Sequence, residues 1–229
     1  MPLSSDAPAA RHQTKQGFVY QTLRRAILSC ELQPSERLVI DTLARRLGVS
    51  IIPVREALQM LQADGLIVNV PHVGAAVAPV SRESIVDVFT VLEGLEIVST
   101  RLVAERAAPD ALAALDRLVP RMDDYAASGR SDRWADLNTE FHQTISASTG
   151  LPLLAEMTAR VLERWDRIRR YYFKGVLSHR VLVAQQEHRA ILAAIHDRRF
   201  ADLEAHVRRH NRTALDAYMQ YLNQTEAWE

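Results

Sequence analysis

One cysteine, Cys30, stands in the whole chain. That excludes an intramolecular disulfide and fits a reducing cytoplasm. No apolar run approaches the roughly 20 residues a membrane-spanning helix needs, so no membrane partner is expected. The opening stretch, MPLSSDAPAARHQTKQ, lacks the apolar core of a signal peptide, and residues 1–16 read as a disordered tail. Net charge is absent as well. The 28 basic residues balance 28 acidic ones, which argues against an indiscriminate polyanion binder. Nucleophile motifs and phosphate-binding glycine loops are missing too. What is left, 48% hydrophobic and 24% charged over 229 residues, is an ordinary globular composition with room for two domains.

The charge is unevenly spread. Residues 11–80 hold eight basic against five acidic side chains, and residues 81–229 hold 20 against 22. A mildly basic N-terminal half fits DNA contact. Its most informative stretch is Asp41 to Leu66, DTLARRLGVSIIPVREALQMLQADGL. Leu43, Ala44 and Leu47 keep a helical spacing that stops at Gly48. Ser50 then offers an N-cap, and Pro53 falls in a first helical turn, where its missing N–H is harmless. Val54, Leu58 and Leu61 make one buried face, which ends at Asp64-Gly65. Helix, tight turn and second helix are the geometry that enters a major groove.

Around this pair, Phe18 to Leu32 reads as a first helix with Val19, Leu23, Ile27 and Cys30 inward, broken by Gln33-Pro34-Ser35. Leu66–Val70 and Ala75–Pro79, joined through Pro71-His72-Val73-Gly74, read as a hairpin. The expectation for residues 17–80 is a winged helix-turn-helix. Residues 81–229 change to continuous helix, with six segments at about 81–107, 109–127, 131–148, 151–175, 178–197 and 199–224. Their apolar stripes, including Leu115, Leu118, Leu153, Leu154, Ile168, Leu192 and Leu203, predict an all-α six-helix bundle. The fold class is therefore mainly α.

Residues 20–80 resemble the DNA-binding domain of the GntR superfamily of bacterial transcription regulators. The matching features are Leu23–Leu28, Pro34, Leu43–Ser50, Pro53–Leu58, Asp64–Leu66 and Gly74. The helical remainder resembles the ligand-sensing FCD domain of the FadR-type branch. The resemblance implies that Ser50, Ile51, Ile52 and Arg55 face base edges of double-stranded operator DNA. It makes Arg37, Arg45 and Arg46 candidates for phosphate contacts, and His72 and Gly74 the tip of the wing. Most relatives carry Arg followed by Thr or Ser where this chain has Ile51-Ile52. Isoleucine offers apolar contact, for example to a thymine methyl, in place of a bidentate grip on guanine.

In the helical half the spacing Asn138-x3-His142 puts both side chains on one face of a helix. His188 and His210 follow on two further helices. The FCD resemblance makes these four the ligands of a divalent metal, and three imidazoles suit zinc or nickel. Three neutral imidazoles and a neutral amide leave the charge of a dication uncompensated, which favours an anionic effector such as a carboxylic acid. The arginine that relatives often carry four residues before Glu96 is Leu92 here. Arg170 and Tyr172, in the run RRYYF, are candidates to line the effector site in its place.

Together these readings describe a homodimeric, metabolite-responsive regulator, a repressor whose operator affinity a small carboxylate changes. Two alternatives use the same residues. One is a winged-helix regulator with a purely structural metal. The other is a metal-dependent enzyme with Glu140 or Glu187 as base; it lacks a nucleophile motif and a Glu-x-x-His pair.

Overall fold

The computed structural model describes residues 14–106 and 109–226. They divide into two compact units between Pro79 and Val80.

In the first unit, helix α1 runs Lys15–Leu28, α2 Ile40–Leu47 and α3 Ile51–Ala63. Strands β1 (Ile67–Val70) and β2 (Gly74–Val77) pair antiparallel, with Ile67 opposite Val77 and Val70 opposite Gly74. Thr14 caps α1 by accepting a hydrogen bond from the Gly17 amide at 3.1 Å, so Lys15 and Gln16 are helical, not tail. The expected tail otherwise falls outside the described residues. Val19, Leu23 and Ile27 form the inward stripe. The helix stops at Leu28, short of the Leu32 that its apolar spacing suggests. Cys30 takes a left-handed φ of 58°, and the Leu32 amide turns back to the Ala26 carbonyl at 3.0 Å. Leu32 is thereby buried without being helical.

Gly48 closes α2 at φ 65°, a conformation a Cβ would strain. Ser50 occupies the N-cap position of α3 with extended backbone, though its side chain makes no capping bond. Val54, Ala57, Leu58 and Leu61 are buried on one face of α3, and Leu61→Ala would cost about 2–5 kcal/mol. The Tyr20 hydroxyl ties α1 to the end of α3 by donating to Asp64 Oδ2 at 2.5 Å. The hairpin turn is made by His72 at φ 63° and Gly74 at φ 95°. The segment before α2 adds itself to the wing: the Leu38 amide donates to the Ala75 carbonyl at 2.8 Å, and the Val77 amide to that of Glu36 at 2.9 Å. Arg37 bridges Ala76 in this way, and so belongs to the wing's third edge.

In the second unit, α4 (Arg82–Arg106), α5 (Pro109–Ala127), α6 (Ser131–Ala147), α7 (Pro152–Tyr171), α8 (Ser178–His196) and α9 (Phe200–Glu226) surround one core. Ile85 and Phe89 of α4, Leu115 and Met122 of α5, Trp134 and Phe141 of α6 and Ile191 and Ile195 of α8 are buried in it. Leu153, expected inside, is 69% exposed. The inward stripe of α7 instead runs through Thr158, Leu162, Trp165 and Ile168. Gly175, where the fourth helical segment was to end, sits in a π-helical turn, Phe173–Leu177, that leads into α8. The Tyr221 ring lies so close that a Cβ on Gly175 would stand 2.3 Å from it. Here glycine permits contact. It does not mark a loop.

Candidate functional site

The imidazoles of His142 (α6), His188 (α8) and His210 (α9) meet inside the bundle. One ring nitrogen from each lies within 4.8 Å of the others. Ring centroids are 5.3 Å apart for His142 and His188, 4.7 Å for His188 and His210, and 5.4 Å for His142 and His210. Asn138, one turn before His142, is also buried. Its amide makes no hydrogen bond to a described residue and lines the adjoining cavity. All four residues expected from the sequence are buried, and the three histidines converge.

Their surroundings fix which nitrogens face it. Glu96 Oε1 of α4 stands 2.7 Å from His142 Nδ1, an ion-pair approach off the line of a hydrogen bond. The other oxygen of Glu96 accepts from Asn211 Nδ2 at 2.7 Å. His210 Nδ1 lies 2.8 Å from Glu187 Oε2. Glu187 is held in turn by Arg180 Nη2 and Thr213 Oγ1, each at 2.8 Å. Carboxylates at the two Nδ1 atoms favour a proton there and leave Nε2 as a lone-pair donor, the arrangement around metal-bound histidines. His188 has no such partner. It is fully buried, and neither ring nitrogen has a hydrogen-bond partner among the described residues. Trp134 stacks on it at 5.7 Å and is itself anchored by donating Nε1–H to Gln185 at 2.9 Å.

Protonation follows burial and charge. Burial, then the neighbouring His210 and His142, holds the His188 pKa well below the ordinary imidazole value. Burial also lowers His210, against its bond to Glu187. For Glu96 burial works the other way, but the charges of His142 and His210 outweigh it and the carboxyl lies below its usual range. The centre therefore presents a neutral His188 beside the ionised carboxylates of Glu96 and Glu187. Buried polar nitrogens without partners are costly; a cation shared between them removes that cost.

A cavity open to solvent adjoins the histidines. Asn138, His142, His210, Asn211 and Arg180 supply its polar end, and Phe89, Leu92, Leu162, Trp165 and Tyr218 its apolar walls. Neither Arg170 nor Tyr172 lines it. Arg170 is exposed at the end of α7, and the Tyr172 hydroxyl donates to the Val80 carbonyl at 3.3 Å. The basic residue at the cavity is Arg180, which nothing in the sequence pattern singles out. Glu96, Asn211 and Tyr218 escape the sequence reading as partners too. Glu96 had a legible signal, being the one acid on the otherwise uncharged stripe Ile85, Phe89, Leu92, Glu96, Thr100, Val103. Glu187 is committed to His210, Arg180 and Thr213, and Glu140 is exposed, so neither stands as a base.

The candidate DNA face of the first unit is of the opposite kind. Arg37, Arg45, Arg46, Ser50, Arg55, His72 and Gly74 are all exposed. Ile51 and Ile52 open α3 at 41% and 63% exposure. Arg45 donates Nε–H to the Asp41 carbonyl at 3.3 Å. Arg37, Arg46 and Arg55 have no ion-pair partner among the described residues. Two apolar side chains and three uncommitted guanidinium groups are a surface that awaits contact.

Comparison with known proteins agrees with both units. Residues 15–77 match the bacterial regulatory proteins of the gntR family, and residues 87–213 match the FCD domain. The HTH-type transcriptional regulator McbR of Escherichia coli K12 is 26% identical over 164 residues, spanning 72% of this chain and 74% of McbR. The HTH-type transcriptional repressor GlaR of the same organism is 28% identical over 207 residues, 88% of this chain and 94% of GlaR. The solved structure of E. coli McbR/YncC shares the fold, with a TM-score of 0.70 at 22% identity over 91% of this chain and 99% of that one. Among the described residues no helix is long and apolar enough to cross a membrane. The chain belongs to the GntR family: it is a transcriptional regulator that joins a winged helix-turn-helix to an FCD domain.

Proposed function

We propose that this regulator is a homodimeric repressor whose helical unit binds a divalent metal and, beside it, a small carboxylic acid that changes operator affinity. The observation that carries the metal is His188: fully buried, neutral, and without a partner for either nitrogen, it faces two histidines whose Nδ1 atoms are already engaged. His142, His188, His210 and Asn138 would hold the ion, and zinc or nickel suits their donor set. When bound, it supplies positive charge that polarises and attracts an anionic ligand. Asn138 contributes no charge, so a carboxylate from the cavity completes the balance, with Arg180 at the same polar end. The cavity favours a sensing role over a purely structural metal, because three of the four proposed ligands border open space.

In the winged unit, the exposed start of α3 presents Ser50, Ile51, Ile52 and Arg55 to base edges, and Arg37, Arg45 and Arg46 engage phosphates. His72 and Gly74 carry the wing toward the neighbouring groove. A symmetric pair of such heads reads a pseudo-palindromic operator. A coupling of roughly 1–3 kcal/mol between acid and operator sites changes DNA affinity about 5- to 150-fold. The test is thermal unfolding of the purified protein with a panel of carboxylic acids, before and after chelation. A ligand of the native state raises the midpoint. A rise lost on chelation supports the reading; confirmed metal removal with no change in midpoint or ligand response overturns it.

A further inference from the structure

Within the apolar part of the cavity one polar group has nothing to do. Tyr218 is 3% exposed and lines the space, yet its hydroxyl has no hydrogen-bond partner among the described residues. Its ring is held by Phe89 at 5.7 Å and Tyr172 at 6.0 Å between centroids. Burial raises its pKa, against the charges of Arg169 and Arg180, so the hydroxyl stays protonated and able to donate. Asn211, Ala214 and Tyr218 follow at spacings of three and four along α9, one stripe that forms a wall of the cavity. At 1.5 Å per residue the stripe is about 10 Å long. Asn211, next to His210, opens the stripe and Tyr218 closes it. The rest of the lining includes Phe89, Leu92, Leu162, Val176 and Trp165, whose indole N–H is the one polar side-chain group among these five.

We infer that the effector is a compact carboxylic acid with an apolar body and a hydrogen-bond acceptor away from its carboxylate, and that the Tyr218 hydroxyl donates to that acceptor. The inference rests on the proposed carboxylate site and adds the chemistry of the rest of the ligand. It disfavours sugar acids, whose many hydroxyls would be stripped of water along walls that return few hydrogen bonds. Leu92 belongs to the same apolar wall and fits a ligand with a single anionic end.

The test uses zinc-loaded full-length protein and three probes measured by calorimetry: 4-acetylbenzoate, its near-isostere 4-isopropylbenzoate, and gluconate. Wild type is expected to bind 4-acetylbenzoate most tightly and gluconate least. Tyr218→Phe is expected to weaken 4-acetylbenzoate about tenfold, the effect of one lost hydrogen bond, and to leave 4-isopropylbenzoate unchanged. It should also keep or raise the thermal midpoint of the ligand-free protein, since it removes an unpaired buried hydroxyl. Equal binding of 4-acetylbenzoate to both proteins overturns the role of Tyr218 while the carboxylate site stands. Tightest binding of gluconate overturns the apolar body. A midpoint lowered by Tyr218→Phe shows that the hydroxyl already has a partner and overturns the inference. Binding of none of the three, with zinc retained, overturns the carboxylate site and the inference together.

Discussion

The two units of this protein keep their functional residues in opposite conditions. In the winged unit the candidate contacts are exposed, and Arg37, Arg46 and Arg55 are uncommitted among the described residues. In the helical unit the candidate ligands are buried, and their neighbours Glu96, Glu187, Asn211 and Thr213 are bound by hydrogen bonds and ion pairs around them. A surface meant for DNA keeps its charges hydrated until a phosphate replaces the water. A site meant for a metal must hold its donors in place beforehand, because each ligand needs a set protonation state and direction. Substitution should therefore separate the two functions cleanly, binding to DNA from stability and metal content.

The largest effect is expected for His188→Ala. It removes the member of the three-histidine cluster whose nitrogens are both idle, and the bound metal should fall to almost none by elemental analysis. The winged unit, with its own core, should keep its fold. Metal retained at full occupancy would break the comparison at its centre. Next comes Glu96→Gln, which keeps shape but removes the charge at His142 Nδ1; metal affinity should drop roughly 10- to 100-fold in a competition titration. An unchanged affinity would show that Glu96 serves packing alone.

On the other side of the comparison, Arg55→Ala should weaken operator binding about tenfold without moving the thermal midpoint or the metal content. Fluorescence anisotropy with labelled operator measures the first. Arg46→Ala should act more evenly across DNA sequences and lower the slope of log affinity against log salt by about 1; a change in base preference instead would make it a reader. The smallest effect belongs to Tyr20→Phe, which removes the bond to Asp64 and should cost the winged unit about 1 kcal/mol in denaturant unfolding. Any loss of metal with it would show that the two units are energetically coupled.

Much of this was legible in the residue order. Gly48 and Gly65 both end helices in the left-handed conformation that the α2–α3 reading required. The segments from 81 onward correspond to six α-helices. The departures share a cause. Leu32 lies outside α1 because Cys30 turns the chain, and Leu153 lies outside the core because α7 takes its inward stripe from Thr158 and Leu162. Apolar spacing tells which faces are inside only when the helix ends are known.

The DNA-facing residues of α2, α3 and the wing were readable because they follow one another in a single stretch with its own caps and turns. The four metal candidates were readable only through their likeness to a family, since nothing local joins Asn138 to His210. Tertiary structure decided that Arg180 and not Arg170 reaches the cavity, that Glu96 and Glu187 brace the histidines, and that Tyr218 has an unused hydroxyl. Helix periodicity specifies which side of one helix is buried; it says nothing of which residue on another helix lies opposite. That pairing depends on how α4, α6, α8 and α9 pack against each other, a property of the whole core and of no single segment.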